Sequence, residues 1–161
     1  MRRLSGLVLA GALVLLPAFM SGNGLAEAAP AQAAQAPPQK TTFTGDAVIQ
    51  AFSVNPDKTA DYEKVIAQLK DALQKSTKPE AKQQAAGWKV FRNATPNPDG
   101  SIVYVHVINP VVKDADYSIG NIVYEVLKDP KEQTDFFNLY KGALQKPLFV
   151  IQGPMVSDFS K

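Results

Sequence analysis

Residues 88–109 read WKVFRNATPNPDGSIVYVHVIN, two β-rich runs on either side of a cluster of turn-forming residues. The central TPNPDG is dense in proline, asparagine and aspartate, and Asp99-Gly100 supplies the positive φ that a tight reversal needs. Runs of β-branched and aromatic residues that flank such a turn are typical of a β-hairpin. The sequence therefore predicts two antiparallel strands, over residues 88–94 and 102–109.

The second strand of this hairpin is apolar on both faces. A strand of this kind is typical of the centre of a sheet that is covered on both sides. We expect the helices to cover its valine face and a second copy of the chain to cover the other face, which a monomer would leave in water. The valine face consists of Val103, Val105 and Val107, and the other face consists of Ile102, Tyr104, His106 and Ile108.

Outside the hairpin, the two periodicities of strands and helices alternate along the chain. Short β-branched and aromatic runs bounded by proline or glycine predict strands, and apolar residues at spacings of three and four predict amphipathic helices. One helix is short and starts at a proline, and another is opened by an aspartate followed by proline, a good helix start. The predicted strands are 47–54 and 148–152, and the predicted helices are 59–75, 79–86, 119–127 and a last one from residue 129.

The order of these elements is strand, helix, strand, strand, helices, strand. This is the split βαβ order of ferredoxin-like folds. The sequence therefore predicts an α+β domain, a βαββαβ sandwich with an extra short helix. Its four-stranded antiparallel sheet is expected to carry helices on one face and to dimerise through the other.

Three local features extend this pattern to a known superfamily. The first strand ends in Asn55–Asp57 (NPD), a helix follows over Thr59–Lys75, and Gly87-Trp88 leads into the hairpin. With them, residues 46–156 resemble the dimeric α+β barrel superfamily, and within it the small proteins of the antibiotic-biosynthesis-monooxygenase type. The resemblance implies that two sheets pair face to face in a homodimer, with a ligand pocket between each sheet and its helices or inside the barrel.

The activity of the haem-degrading branch of that superfamily does not follow from the resemblance. That branch uses an asparagine, a tryptophan and a histidine in a fixed arrangement. Trp88 and His106 are present here, but their spacing differs, and the first strand offers Gln50 where the asparagine would stand.

Five residues form a candidate ligand pocket if the strands pair even-numbered with even-numbered positions. His106 and Tyr104 share a face because side chains repeat every second residue, and this register adds Trp88, Arg92 and, from the first strand, Gln50. Arg92 joins them because an unpaired guanidinium under the helices would be costly. Such a pocket suits a small carboxylate or phenolate. The alternative, which we favour, is a histidine hydrogen-bonded within a dimer interface, with Trp88 in the core, since a one-residue slip exchanges the faces.

The composition excludes much catalytic chemistry. The chain has no cysteine and a single histidine, His106, so thiol nucleophiles, cysteine zinc sites and a three-histidine metal centre cannot be built. A nucleophile elbow and phosphate-binding glycine loops are missing from the sequence. A partial calcium-loop pattern at Asp114, Asp116, Ser118 and Glu125 has isoleucine where the template needs glycine, and an aspartate capping a helix explains it better. We therefore predict no catalytic residue, no metal and no cofactor.

The N-terminus has the three parts of a secretory signal. Two arginines precede an apolar run over residues 7–16, and Ala26–Ala28 (AEA) fits the small-x-small rule of a signal-peptidase site. A glycine and a proline interrupt the apolar stretch, which falls short of the roughly 20 residues of a membrane span. We expect residues 1–28 to be a cleaved signal peptide, the protein to be secreted or periplasmic, and no stable membrane insertion after cleavage.

Removal of that signal leaves 15 basic and 14 acidic side chains. A net charge of +1 gives no electrostatic reason to expect nucleic acid as a partner. Residues 29–44, APAQAAQAPPQKTTFT, are rich in alanine, proline and glutamine, and we expect them to form a disordered leader. A single α+β domain is then expected over residues 45–157.

Two functions are compatible with these observations. The first is an exported, non-catalytic module of the dimeric α+β barrel type that binds a small ligand or another protein and works as a homodimer; it is favoured because the sequence holds no complete catalytic set. The alternative is a cofactor-independent or haem-linked, monooxygenase-like enzyme for a small aromatic substrate. That alternative depends on the resemblance together with Trp88, Tyr104 and His106.

Overall fold

The computed structural model describes residues 39–159 of the 161-residue chain. The predicted signal peptide, residues 1–28, and most of the predicted leader lie outside the described residues. Between residues 39 and 159, no helix has both the length and the apolar character that a membrane crossing requires.

Four strands and four helices follow one another in the predicted order. A single 3-10 turn, Pro56–Lys58, links the first strand to the first helix, and the last strand is longer than expected and includes Pro147. Proline is tolerated there because this strand lies at an edge of the sheet. The elements are β1 Ala47–Val54, α1 Thr59–Lys75, α2 Ala81–Gly87, β2 Trp88–Arg92, β3 Ile102–Ile108, α3 Ile119–Val126, α4 Pro130–Ala143 and β4 Leu144–Gly153.

The sheet confirms the predicted α+β architecture. Its strands are ordered β2-β3-β1-β4, and every neighbouring pair is antiparallel. Each βαβ crossover therefore leaves room for one strand between its two ends, as in a ferredoxin-like fold. β3 lies at the centre, as its two apolar faces predict.

The helices cover the opposite face of β3 from the one we predicted. Tyr104, His106 and their neighbours on that face are buried beneath the helices, whereas Val103, Val105 and Val107 lie on the other face. The expectation that a monomer would leave Ile102, Tyr104 and Ile108 in water was therefore wrong. The physical reason is that alternation determines which residues share a face, but two apolar faces do not show which one the helices cover.

The helical layer packs around α1. The apolar stripe of α1 contributes Val65, Leu69 and Leu73 to a cluster that also contains Val123 of α3 and Phe136 of α4. A second side of α1 faces the sheet, where Tyr62 is fully buried. Helix α1 thus connects the other helices to β3 and positions Tyr62 against the sheet.

The domain starts earlier than residue 45. Phe43 is buried in a cluster with Val48, Ile108 and Tyr117, although it belongs to the segment predicted to be disordered. The backbone N–H of Tyr117 donates to the carbonyl of Thr41 over 2.7 Å. The predicted boundary at Gly45 was therefore too late, because a single aromatic side chain in a polar stretch gives little periodic signal.

Candidate functional site

His106 is the centre of a buried polar cluster on β3. The register pairs it with Gln50 of β1 on one side and with Val90 of β2 on the other. The same register places Trp88 and Arg92 on the face of His106, which agrees with the predicted alternation. His106 is completely buried.

Both ring nitrogens of His106 are engaged in hydrogen bonds. The indole Nε1–H of Trp88 donates to Nδ1 over 3.0 Å, and the hydroxyl of Tyr62 lies 2.9 Å from Nε2. Because an indole N–H can only donate, Nδ1 must be the unprotonated nitrogen. Neutral His106 therefore carries its proton at Nε2, from which it donates to the hydroxyl oxygen of Tyr62.

Burial keeps this cluster uncharged. Desolvation lowers the pKa of His106 to about 4. Burial, together with the nearby Tyr140 and Tyr104, raises the pKa of Tyr62 far above its ordinary value. A histidine that is neutral, enclosed and bonded at both nitrogens has no free nitrogen with which to take a proton from a substrate. It is a core histidine, and it lies beneath the helices instead of in a dimer interface.

A polar cluster with more exposure lies at the end of β2. The carboxylate oxygen Oε1 of Glu63 accepts from the hydroxyl of Tyr104 over 2.7 Å and from Nη1 of Arg92 over 3.1 Å. Arg92 and Glu63 are each about half exposed, so their ion pair contributes little to stability. Burial, and then the hydrogen bond to Glu63, raise the pKa of Tyr104 to about 12. The guanidinium of Arg92 thus remains on the helix face but reaches its partner at the protein surface.

Two adjoining cavities lie along the gap between α1 and β2. One, of about 200 Å³, is bordered by the polar cluster of Glu63, Arg92 and Tyr104. The other, of about 330 Å³, is bordered by Trp88 and by apolar side chains of α1. Both include Ile66 and Val90, so they form a continuous depression, which we call the α1–β2 groove. Its lining residues are Glu63, Ile66, Leu69, Lys70, Leu73, Gln74, Ala85, Trp88, Val90, Arg92 and Tyr104.

The groove contains three of the five predicted pocket residues. Trp88, Arg92 and Tyr104 line it, whereas His106 and Gln50 are buried residues that do not. That a small ligand binds these residues stays a prediction. The sequence analysis missed the partners that α1 supplies, Tyr62 and Glu63. One signal was present: a tyrosine in the apolar stripe of a helix needs a partner for its buried hydroxyl.

The second unusual surface is the sheet face opposite the helices, which we call the open sheet face. In the described part of the chain no helix covers it. The exposed fraction is 55% for Phe91, 47% for Phe149 and 62% for Ile151. These large apolar side chains surround the half-buried valines of β3. The apolar residues of the open sheet face are Ile49, Ala51, Phe91, Val103, Val105, Val107, Phe149 and Ile151, and the register also places Ser53, Lys89 and Lys146 on it.

The groove offers hydrogen-bonding groups and apolar contact to a ligand. Among residues 39–159, no three histidine, cysteine, aspartate or glutamate side chains come together as a metal site would require. Comparisons of this chain with protein-family models, with curated proteins and with solved structures find no significant match.

Proposed function

We propose that the protein is an exported, non-catalytic interaction module that works as a homodimer, with the two chains packed through their open sheet faces. The apolar character of that face is the observation that carries the proposal. An antiparallel sheet with one solvated face normally alternates apolar inward and polar outward residues. Here the outward positions of β3 are all valine, and those of its neighbours include Ile49 and Phe91.

The distribution of charge on this face also suits a second copy as its occupant. The central strands β1 and β3 place no charged side chain on this face. Its lysines, Lys89 and Lys146, lie on the edge strands β2 and β4, which also contribute Phe91, Phe149 and Ile151. Contacts between chains usually have an apolar centre and a polar rim. A two-fold axis through Val105 would pack the apolar centre of one chain against the same apolar centre of the second chain. The result would be a dimeric α+β barrel.

The surroundings of His106 support a non-catalytic function. Its Nδ1 is held by Trp88 and its Nε2 by Tyr62. Arg92 and Tyr104 both donate to Glu63. Opening either hydrogen bond would leave a buried polar group unsatisfied. The monooxygenase-like alternative would need such a group to be available to a substrate.

We expect that titration of the protein with haem produces no new, saturable absorption band in the Soret region, because His106 has no nitrogen free to ligate iron. Absorption spectra of the purified protein at increasing haem concentration test this. The variant His106→Gln is the control, since any band that arises from surface binding should persist in it. A saturable band that the wild-type protein gives and His106→Gln does not would contradict the non-catalytic assignment.

Replacing Val105 by lysine is expected to turn the dimer into a monomer. Val105 lies at the centre of the proposed interface, and two buried ammonium groups facing each other would be strongly unfavourable. Light scattering at micromolar concentration should give the mass of two chains for the wild-type protein and the mass of one chain for Val105→Lys. Phe91→Lys should also dissociate the dimer, and because Phe91 is exposed in the single chain, this change should leave the fold intact.

Val150→Lys provides the matched control for the dimer. Val150 is exposed to a similar extent as Phe91, but it is paired with Gln50 and so belongs to the opposite face of the sheet. This variant should keep the mass of the dimer. A wild-type protein that is monomeric at micromolar concentration, or a Val150→Lys variant that dissociates while Val105→Lys does not, would refute the proposed interface.

A further inference from the structure

Strand β2 leaves one row of backbone hydrogen-bonding groups without a neighbouring strand. It is an edge strand of the described sheet. The backbone N–H of Asn109 donates to the carbonyl of Gly87, and that of Asn93 donates to the carbonyl of Val103. In an antiparallel ladder, hydrogen-bonded positions alternate with positions whose groups point the other way. The backbone N–H and C=O groups of Trp88, Val90 and Arg92, the even-numbered residues between Gly87 and Asn93, therefore point away from β3 and toward the free edge of the sheet.

The side chains of those same residues line the α1–β2 groove. Trp88, Val90 and Arg92 combine outward backbone groups with side chains on the helix face. A strand added alongside β2 would thus lie next to the groove, and every second side chain of that strand would enter it. The apolar part of the groove, bordered by Leu73 and Ile66, offers contacts to such side chains.

The charges around this edge favour an acidic partner. Lys70 borders the groove. Lys89 lies on the other face of β2, the open sheet face. The side chains of an added strand that do not enter the groove would lie next to Lys89 on that face. Glu63, the acidic residue among those that line the groove, is already paired with Arg92 and Tyr104. Acidic side chains at the outward positions of a bound strand would therefore lie beside the ammonium group of Lys89.

We propose that the α1–β2 groove binds an extended peptide segment of a partner protein, which adds to β2 as a fifth strand. Its alternate apolar side chains enter the groove, and its acidic side chains lie beside Lys89. A row of backbone donors and acceptors along three alternate residues matches a peptide strand, and pockets for every second side chain are typical of strand addition. The site uses the edge of the sheet and shares only Lys89 with the open sheet face through which the dimer is proposed to form.

A heptapeptide that alternates glutamate and valine, acetylated and amidated at its ends, is a direct probe. Trp88 is the only tryptophan of the chain and lines the groove, so its emission reports binding without a label. We expect a saturable change in emission with this peptide, with the same dissociation constant from calorimetry. The corresponding lysine–valine peptide should bind the wild-type protein at least tenfold more weakly. In the variant Lys89→Glu the order of the two affinities should be reversed, so that the lysine–valine peptide binds more tightly than the glutamate–valine peptide.

Variants of Val90 separate strand addition from other modes of binding. Val90→Pro removes an outward N–H without removing a donor to β3, and it should weaken binding of the glutamate–valine peptide at least tenfold. Val90→Thr keeps the N–H and should bind as the wild-type protein does. Peptides methylated at alternate backbone nitrogens test the same hydrogen bonds from the side of the peptide. Methylation of the nitrogens that face β2 should abolish binding, and methylation of the alternate nitrogens that face away from β2 should not. This arm remains decisive if Val90→Pro does not fold.

Several results would overturn the proposal. Absence of heat and of an emission change with both peptides would exclude strand addition, as would binding that is indifferent to Val90→Pro and to both methylation patterns. Saturable binding of benzoate in place of the peptide would assign the groove to a small carboxylate. The monomeric variant Val105→Lys should bind the peptide with unchanged affinity, so loss of the dimer and loss of peptide binding are separate outcomes.

Discussion

Acidification from pH 7 to pH 4 is expected to lower the free energy of unfolding by about 3 kcal/mol. His106 is the cause, because burial lowers its pKa to about 4 in the folded protein, whereas a histidine in an unfolded chain titrates near roughly 6.5. Between these two values the unfolded chain takes up a proton that the folded chain does not. The stability is therefore fully present above about pH 6.5 and is lost as the pH falls through the folded pKa.

The surroundings of His106 explain why the folded state resists protonation. A second proton would have to sit on Nδ1, where it would face the indole N–H of Trp88. The aromatic rings that pack against the imidazole come from three elements: Tyr62 from α1, Phe52 from β1 and Trp88 from β2. None of these side chains is charged between pH 4 and pH 7, so none compensates an imidazolium.

Urea unfolding at a series of pH values measures this dependence, and His106→Gln is its control. Glutamine does not titrate, so the profile of that variant should be nearly flat over the same range, at a lower overall stability. Asp116 acts at lower pH: its partial burial raises the pKa of the carboxyl group, but hydrogen bonds from Asn121 and Ser118 outweigh that effect and lower the pKa below its ordinary value of 3.8. A wild-type profile that is flat between pH 7 and pH 4 would contradict the role assigned to His106.

The sequence was sufficient for the order of elements and for which residues of β2 and β3 share a face of the sheet. The turn at Asp99-Gly100 fixes the hairpin, and the two-residue period then places Tyr104 and His106 together. The side of the sheet that the helices cover could not be obtained in this way. Valines and aromatic residues are both compatible with a buried face, so the choice depends on packing against α1, which no local pattern of β3 contains.

The candidate site was predictable only in part for a related reason. The alternation of β2 and β3 gave Trp88, Arg92 and Tyr104, which line the groove. Glu63, which accepts from Arg92 and Tyr104, and Tyr62, the partner of His106, both come from α1. They are more than twenty residues away in the chain and meet the sheet only through tertiary packing. The unfavourable burial of Arg92 that we expected under the helices is avoided because its side chain reaches Glu63 at the surface.

A chain shortened to begin at Gly45 is expected to be less stable than one that begins at Gln39 by about 3–5 kcal/mol. The main loss is Phe43, whose ring is buried and packs on Tyr117 at a centroid distance of 5.2 Å. Removing a buried phenylalanine side chain leaves a cavity in addition to the lost transfer free energy. The shortened chain also loses the hydrogen bond from the N–H of Thr41 to the carboxylate of Asp116.

Denaturant unfolding of the two chains measures the difference, and point variants locate its source. Phe43→Ala in the longer chain should reproduce most of the loss, because it removes the buried ring and keeps the backbone hydrogen bonds. The adjacent Thr42 is exposed, so Thr42→Ala should change the free energy of unfolding by less than about 0.5 kcal/mol. Equal free energies of unfolding for the chains that begin at Gln39 and Gly45 would show that the segment before β1 is not part of the folded domain. The polar composition of this segment would then predict its state better than its single aromatic ring does.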